Sequence, residues 1–281
     1  MTPETFDPEA FTQDSRKNWS DAAPYYDRIS SELFPPITKV FAAFAELREG
    51  QTVLDVACGP GAATEAAVRA VGAFGKLVGV DLSSEMLKIA GKRLGAQSLN
   101  VEFREMNAET LDFPDGTFDA VICQLGLMLF AKPEAALSEM ARVAKKGGSV
   151  SCLVQGVGEK MVFTSLINRI LVKHAPELKV PGAPTLYTFA PSGVLDAALI
   201  AAGLVRTESG RQGGVFRFNS PKDYWDTMVQ GAGRTGAVLK TLSPEKRAAV
   251  ENDALETAER YRSGDGIDIP YEVVMAKGFK P

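Results

Sequence analysis

Histidine and cysteine are scarce: His174 stands alone, and three cysteines, Cys58, Cys123 and Cys152, are spread over 281 residues. An odd number of widely spaced thiols, two of them inside apolar runs that suit buried strands, excludes a disulfide scaffold. It points to a reducing, cytoplasmic setting. No basic segment followed by an apolar one opens the sequence. The longest apolar stretches, near 121–131 and 162–172, are broken by polar residues and fall short of the ~20 residues that a membrane span requires. Neither a secretion signal nor a span is expected. Positive charge is not in excess either: 31 Lys and Arg against 35 Asp and Glu leave a net charge of −4. With no overall positive field to gather phosphate backbones, nucleic acid is not an expected partner. Clusters with metal-ligand spacing are missing, and no metal is expected.

What is present suffices for a sizeable core, at 45% hydrophobic and 23% charged residues. One enlarged domain is the expectation. Strand-like runs alternate with helix-period segments. The strands are TVLDVAC (52–58), KLVGVD (76–81), LNVEFRE (99–105), FDAVICQ (118–124) and GGSVSCLVQ (147–155). Helices are expected after Gly61, from Ser83 to about Leu94, and over 133–146. Ser83 is a good N-cap, and Pro133 suits a first helical turn. Five strands with four helical crossovers predict a parallel α/β sheet. Residues 1–45, with the aromatic segment NWSDAAPYYDRI, read as an N-terminal helical cap, and 46–281 as the main domain. Within it, about 156–190 reads as an insertion containing a helix near 159–174 and a Pro/Gly-rich stretch at 176–185. Beyond lie a helix from Pro191 to Ala202, strand-like residues 204–218, a helix near 243–262 and a strand that rejoins the sheet.

The strongest chemical signal is VLDVACGPGAAT (53–64), where a hydrophobic strand runs into Gly59-Pro60-Gly61 and then a helix. Glycine lets a ligand approach the main chain closely, and the helix start supplies N–H donors. Twenty residues after Gly61, Asp81 ends the next strand, where a carboxylate can accept from both hydroxyls of an adenosine ribose. Two adenosine ligands fit this pattern. A nicotinamide dinucleotide is one, although Thr64 stands where its fingerprint wants a third glycine. A ligand-free structural turn is the bland alternative.

Four segments in order and spacing, VLDVACGPGAAT, LVGVDLSSEMLKIA, MNAETLDFPDGTFDAVICQLGLMLF and PEAALSEMARVAKKGGSV, resemble the class I S-adenosylmethionine-dependent methyltransferases. The likeness is to the broad group related to the ubiquinone/menaquinone C-methyltransferases, and it covers about 50–155. Weaker likeness extends to NWSDAAPYYDRI and to SPKDYW (220–225). The resemblance implies a Rossmann-like, doubly wound, mostly parallel seven-stranded sheet whose last strand is antiparallel. It implies S-adenosylmethionine as cofactor, with S-adenosylhomocysteine as product. Asp55, Ala57, Gly59 and Gly61 would surround its methionine part, Asp81 the ribose, and Leu82 and Met86 the adenine. Asn107-Ala108 replaces the family's usual acidic residue and alanine at the adenine amino group, and Gln124 would approach the methionine end.

Methyl transfer from a sulfonium needs neither metal nor covalent nucleophile, only alignment, exclusion of water and, for some acceptors, a base. His174 is a candidate base because its ordinary pKa lies near neutrality, although a helix-end histidine more often complements the dipole. Tyr26 is a second catalytic candidate. Tyr25, Tyr187 and Trp225 are candidate walls of an acceptor pocket, with core packing as the alternative for each. The expected partners are a small organic acceptor and, as a homodimer, a second copy of the chain. An NAD(P)-dependent oxidoreductase and a non-catalytic S-adenosylmethionine-binding protein are the competing functions. Competition between NAD(P) and S-adenosylhomocysteine would separate the first, and an acceptor pocket filled by 156–190 would favour the second.

Overall fold

Runs of Val, Leu and Ile can be buried on both faces of a parallel sheet only where the intervening helices cover it. The computed structural model describes residues 6–95, 100–178 and 181–281. The start of the expected N-terminal cap (1–5), residues 96–99 with the first residue of the expected third strand, and residues 179–180 of the expected insertion lie outside the described residues.

The strands are β1 (Thr52–Val56), β2 (Lys76–Asp81), β3 (Val101–Glu105), β4 (Phe118–Gln124), β5 (Ala144–Gln155), β6 (Val205–Phe218), β7 (Arg262–Ser263) and β8 (Gly266–Phe279). They form one eight-stranded sheet in the order β3-β2-β1-β4-β5-β8-β6, with β7 paired to β8. The two-residue β7 is the addition to the expected seven. Strands β1 to β5 pair in parallel. β8 runs antiparallel to both of its neighbours, β5 and β6. Burial explains the composition: β1 and β4 are apolar almost throughout, whereas β6 is mostly exposed. Its charges and glycines suit an open edge.

The helices are α1 (Pro8–Arg28), α2 (Pro35–Ala45), α3 (Ala62–Val71), α4 (Ser84–Gly95), α5 (Pro133–Val143), α6 (Val162–His174), α7 (Val194–Ala201), α8 (Pro221–Gly231), α9 (Gly233–Thr241) and α10 (Pro244–Glu259). Caps set several starts. Asp7 accepts from the Glu9 and Ala10 amides ahead of α1, and Ser220 from Asp223 ahead of α8. Ser83 accepts from the Met86 amide at 3.3 Å, as a serine before α4 should.

Two expectations need correction. The helix expected over 133–146 stops at Val143, because Ala144 turns extended and opens β5. The crossover from β3 to β4 contains no helix, so the expected four helical crossovers are three among the described residues. Side chains of α5 satisfy that loop instead. Arg142 donates to the carbonyls of Leu111 (2.7 Å) and Phe113 (2.8 Å), and Glu139 accepts from the Leu111 amide at 2.8 Å. Backbone groups held this way need no helix.

α2 packs on α3, β4 and β8, while α1 packs on α4, α8 and α9. Of the N-terminal pair, α1 supplies residues to a crevice at the strand ends. α6, α8 and α10 pack on one another beside it.

Candidate active site

The chain leaves β3 at one edge and returns to β4 on the far side of β1, so the connections diverge between β1 and β4. A crevice opens at the carboxyl ends of strands where this happens. Both strands leave it through a non-glycine residue in the left-handed region, Ala57 after β1 at φ 56° and Leu125 after β4 at φ 59°. Strain of this kind persists where surrounding structure enforces it, and it clusters at ligand sites.

The glycine loop is pinned from below and from the side. The Cys58 amide donates to the Val80 carbonyl at 3.0 Å, and the Gly59 amide to Asp81 Oδ2 at 2.9 Å. The other Asp81 oxygen accepts from the Ser83 amide at 2.9 Å. One carboxylate thus ties the loop after β1 to the helix start after β2, with lone pairs remaining for a further donor. Burial raises its pKa, and the amide donors act against that rise. Gly61 has a φ of 91° and sits so close to α4 that a Cβ would lie 3.2 Å from that of Ala90.

Behind the loop, Asp55 is fully buried and accepts from the Thr64 hydroxyl at 2.6 Å, while its Oδ1 has no partner. Burial pushes its pKa up to about 7, the Thr64 bond opposes the rise, and the Asp81 charge adds to it. Gln124 is in a similar position. Its amide nitrogen donates to Thr38 Oγ1 at 3.0 Å and its buried oxygen is unpartnered. Orphaned acceptors beside a crevice invite a donor-bearing ligand.

The crevice is a cleft lined by Ala57, Gly59, Asp81, Leu82, Met86, Asn107, Ala108 and Gln124. Of the expected cofactor residues, Asp55 and Gly61 stand behind the loop rather than in its wall. Residues not foreseen line it too: Phe11, Thr12, Ser15 and Trp19 from α1, and Glu109, Leu129 and Phe130 from loops. The aromatic segment NWSDAAPYYDRI was the available signal for Trp19, and the others left none.

A second, larger chamber adjoins the cleft and shares Phe11, Ser15, Trp19, Tyr26, Leu125 and Leu129 with it. Its walls come from α1, α6, residues 181–187, α8 and α9, and they are mainly apolar. Tyr187 belongs here. Its hydroxyl meets Thr164 Oγ1 at 3.1 Å and Asn168 Nδ2 at 3.4 Å, and Thr164 donates to Gln155 at 2.7 Å. Tyr26 stands between the two spaces, its ring edge-on to Trp19 at 5.0 Å. Burial, and secondly the charge of Asp81, raise its pKa.

Three candidates fall outside both cavities. His174 ends α6 and its Nε2 lies 2.7 Å from Asp253 of α10, which Lys173 also engages at 2.7 Å. It lines neither space, so the helix-end reading replaces the catalytic one. Trp225 is 1% exposed and belongs to the core, and Tyr25 is 49% exposed on the outer side of α1. Neither walls the chamber. The thiols are free and buried, Cys123 pairing in register with Cys152 across β4 and β5, and none lines either cavity.

An open, mostly parallel sheet with a glycine loop and an acidic β2 terminus defines the Rossmann-like nucleotide-binding class. Residues 53–148 match the methyltransferase domain family. An uncharacterized protein of Mycobacterium tuberculosis is 36% identical over 128 residues, which are 46% of each chain. The ubiquinone/menaquinone biosynthesis C-methyltransferase UbiE of Escherichia fergusonii is 43% identical over 109 residues, 38% of this chain and 43% of UbiE. The matches thus span less than half the length of these curated relatives. Among solved structures, Haemonchus contortus phosphoethanolamine N-methyltransferase 2, in complex with phosphomonomethylethanolamine and S-adenosylhomocysteine, superimposes with a TM-score of 0.60. That likeness is at 16% identity and covers 96% of this chain and 60% of that one, so it speaks for the fold. Residues 53–148 form a methyltransferase domain of the class I S-adenosylmethionine-dependent kind, related to the ubiquinone/menaquinone C-methyltransferases.

Proposed function

We propose that the chain transfers a methyl group from S-adenosylmethionine to a small organic acceptor of apolar character, releasing S-adenosylhomocysteine. The observation that carries this reading is the adjacency of the Asp81 cleft to an apolar chamber that shares wall residues with it, Tyr26 among them. A nicotinamide-dependent oxidoreductase has less support, since the matched domain is that of methyltransferases. A purely binding role would suit a chamber filled by residues 156–190, and that space is open.

When bound, the cofactor supplies an already activated methyl group. Asp81 is placed to accept from a ribose, Leu82 and Met86 to flank an adenine, and Asn107 to accept through its carbonyl from an adenine amino group. The orphaned oxygen of Gln124 suits the ammonium end of the methionine part, with Asp55 behind the loop. The helices above exclude water and align the acceptor, and alignment alone can be worth roughly 7–11 kcal/mol. Tyr26 keeps its proton at neutral pH, because its pKa is raised. It can therefore orient an acceptor by donating a hydrogen bond, but it does not serve as the base.

Thermal-shift titration with S-adenosylmethionine, S-adenosylhomocysteine, NAD and NADP tests the reading. A ligand at 100 times its Kd should stabilise the fold by ~2.7 kcal/mol. The expected result is a saturable shift with the two sulfur ligands that Asp81→Asn weakens. A shift with a dinucleotide alone would overturn methyl transfer.

A further inference from the structure

Among the described residues that line the second chamber, Arg234 is the one charged side chain; the rest are apolar or neutral. It makes no ion pair and no side-chain hydrogen bond with any described residue. Three arginines on or against α1 are paired instead: Arg16 with Glu105, Arg93 with Asp27, and Arg28 with Glu32. Among the described residues, the carboxylate that acts on Arg234 is Asp14, from beyond ion-pair distance. Arg234 lines the chamber while staying exposed to solvent, and partial desolvation lowers its pKa, yet a guanidinium stays charged throughout the working range of proteins.

The placement is built. Gly233, at φ 45°, lets the junction of α8 and α9 press against α1, where a Cβ would come within 2.8 Å of the Trp19 ring. Trp19 lines both cavities. The next residue is Arg234, whose guanidinium carbon lies 4.9 Å from the centre of the Phe11 ring. A ring on one face fixes the plane of the group and leaves its edge, a fork of N–H donors, for a planar or tetrahedral anion. Opposite stands a neutral ladder in which Thr235 donates to Asn168 at 3.3 Å and Asn168 to Tyr187. Among the described residues that line it, the chamber offers no carboxylate to neutralise the cation from within.

We propose that the acceptor is an apolar molecule bearing an anionic group, a carboxylate or phosphate, and that Arg234 receives that group. The inference rests on the methyl-transfer reading for the chamber's role as acceptor site; the anion site itself does not depend on it. Arg234 is then a specificity residue at the entrance to the chemistry, since Phe11 beside it also walls the cofactor cleft.

The test is calorimetric titration of the full chain with dodecanoate, dodecyl phosphate and dodecanol, each below its micelle concentration, with S-adenosylhomocysteine titrated in parallel. Expected is saturable binding of at least one anion at least tenfold tighter than dodecanol, and whichever of the two binds tighter identifies the head group. Arg234→Gln should bring the anions to the dodecanol level, while the affinities for dodecanol and S-adenosylhomocysteine stay in place. Arg234→Lys, which keeps charge but loses the fork, should retain part of the preference. Dodecanol binding as tightly as the anions, no saturable binding of either anion, or undiminished anion binding by Arg234→Gln would each overturn the proposal. Failure of S-adenosylhomocysteine to bind while anion preference persists would overturn methyl transfer and leave the anion site standing.

Discussion

Asp55 is a buried carboxylate with one oxygen unpartnered, and it makes the apo protein sensitive to pH. Its pKa in the fold is about 7, against an ordinary value of 3.8. Between these pH values the folded chain holds a proton that the unfolded chain has lost. The contribution of Asp55 therefore falls as pH rises from about 4 to about 7, and it is flat beyond. Asp55→Asn should melt above the wild type at pH 8 and converge with it near pH 4, with roughly 2–4 °C gained per kcal/mol relieved. Melting curves of the two proteins across that range decide it, and a variant less stable at pH 8 would mean that the Thr64 bond outweighs the burial. The same residues show what a sequence discloses. Gly59, Gly61 and Asp81 are legible because their roles follow from adjacent chain: a turn, a strand end, a helix start. Arg234 and Phe11 act only through the meeting of α1 with α9, over two hundred positions apart, and no local pattern announces that meeting.

At the level of elements, the site depends on how closely two strand ends approach. A Cβ at Gly126 would lie 2.7 Å from that of Ala57 and 2.9 Å from the Cys123 sulfur. Gly126→Ala should therefore force β4 and the glycine loop apart, costing about 1–3 kcal/mol, an overpacking penalty. A denaturation midpoint unchanged from wild type would refute it. α1 is a wall of both cavities, tied to its neighbours by Ser20 on Ser83 at 2.9 Å, by Arg16 on Glu105 at 3.0 Å and by Asp27 on Arg93, and it packs on α4, α8 and α9. Since it has no strand ladder to anchor it, α1 should open more readily than the sheet. Bound S-adenosylhomocysteine should slow amide exchange between Phe11 and Trp19 at least tenfold, and unchanged exchange there would show that α1 does not close on the ligand. Most helices were legible from period and caps, but α8 and α9 were not among those expected. The helix-free β3–β4 crossover was not, because its order comes from Arg142 and Glu139 reaching across from α5.

For the whole molecule, β8 is the decisive strand, reversed between β5 and β6 and bonded to both. Its position was expected from the resemblance rather than from periodicity, since alternation reveals a strand and not its neighbours. A chain lacking residues 266–279 should show no cooperative melting transition, measured by circular dichroism; a sharp transition would mean that β1 to β5 stand alone. The placement also sets a timetable for biosynthesis. At roughly 5–20 residues per second, a ribosome completes β5 on the order of ten seconds before it delivers the strand that covers its edge. Throughout that interval the nascent chain displays an unpaired, apolar strand border. Chaperone demand during translation should thus peak late, and a message stalled after α10 should yield aggregates rather than a smaller soluble enzyme.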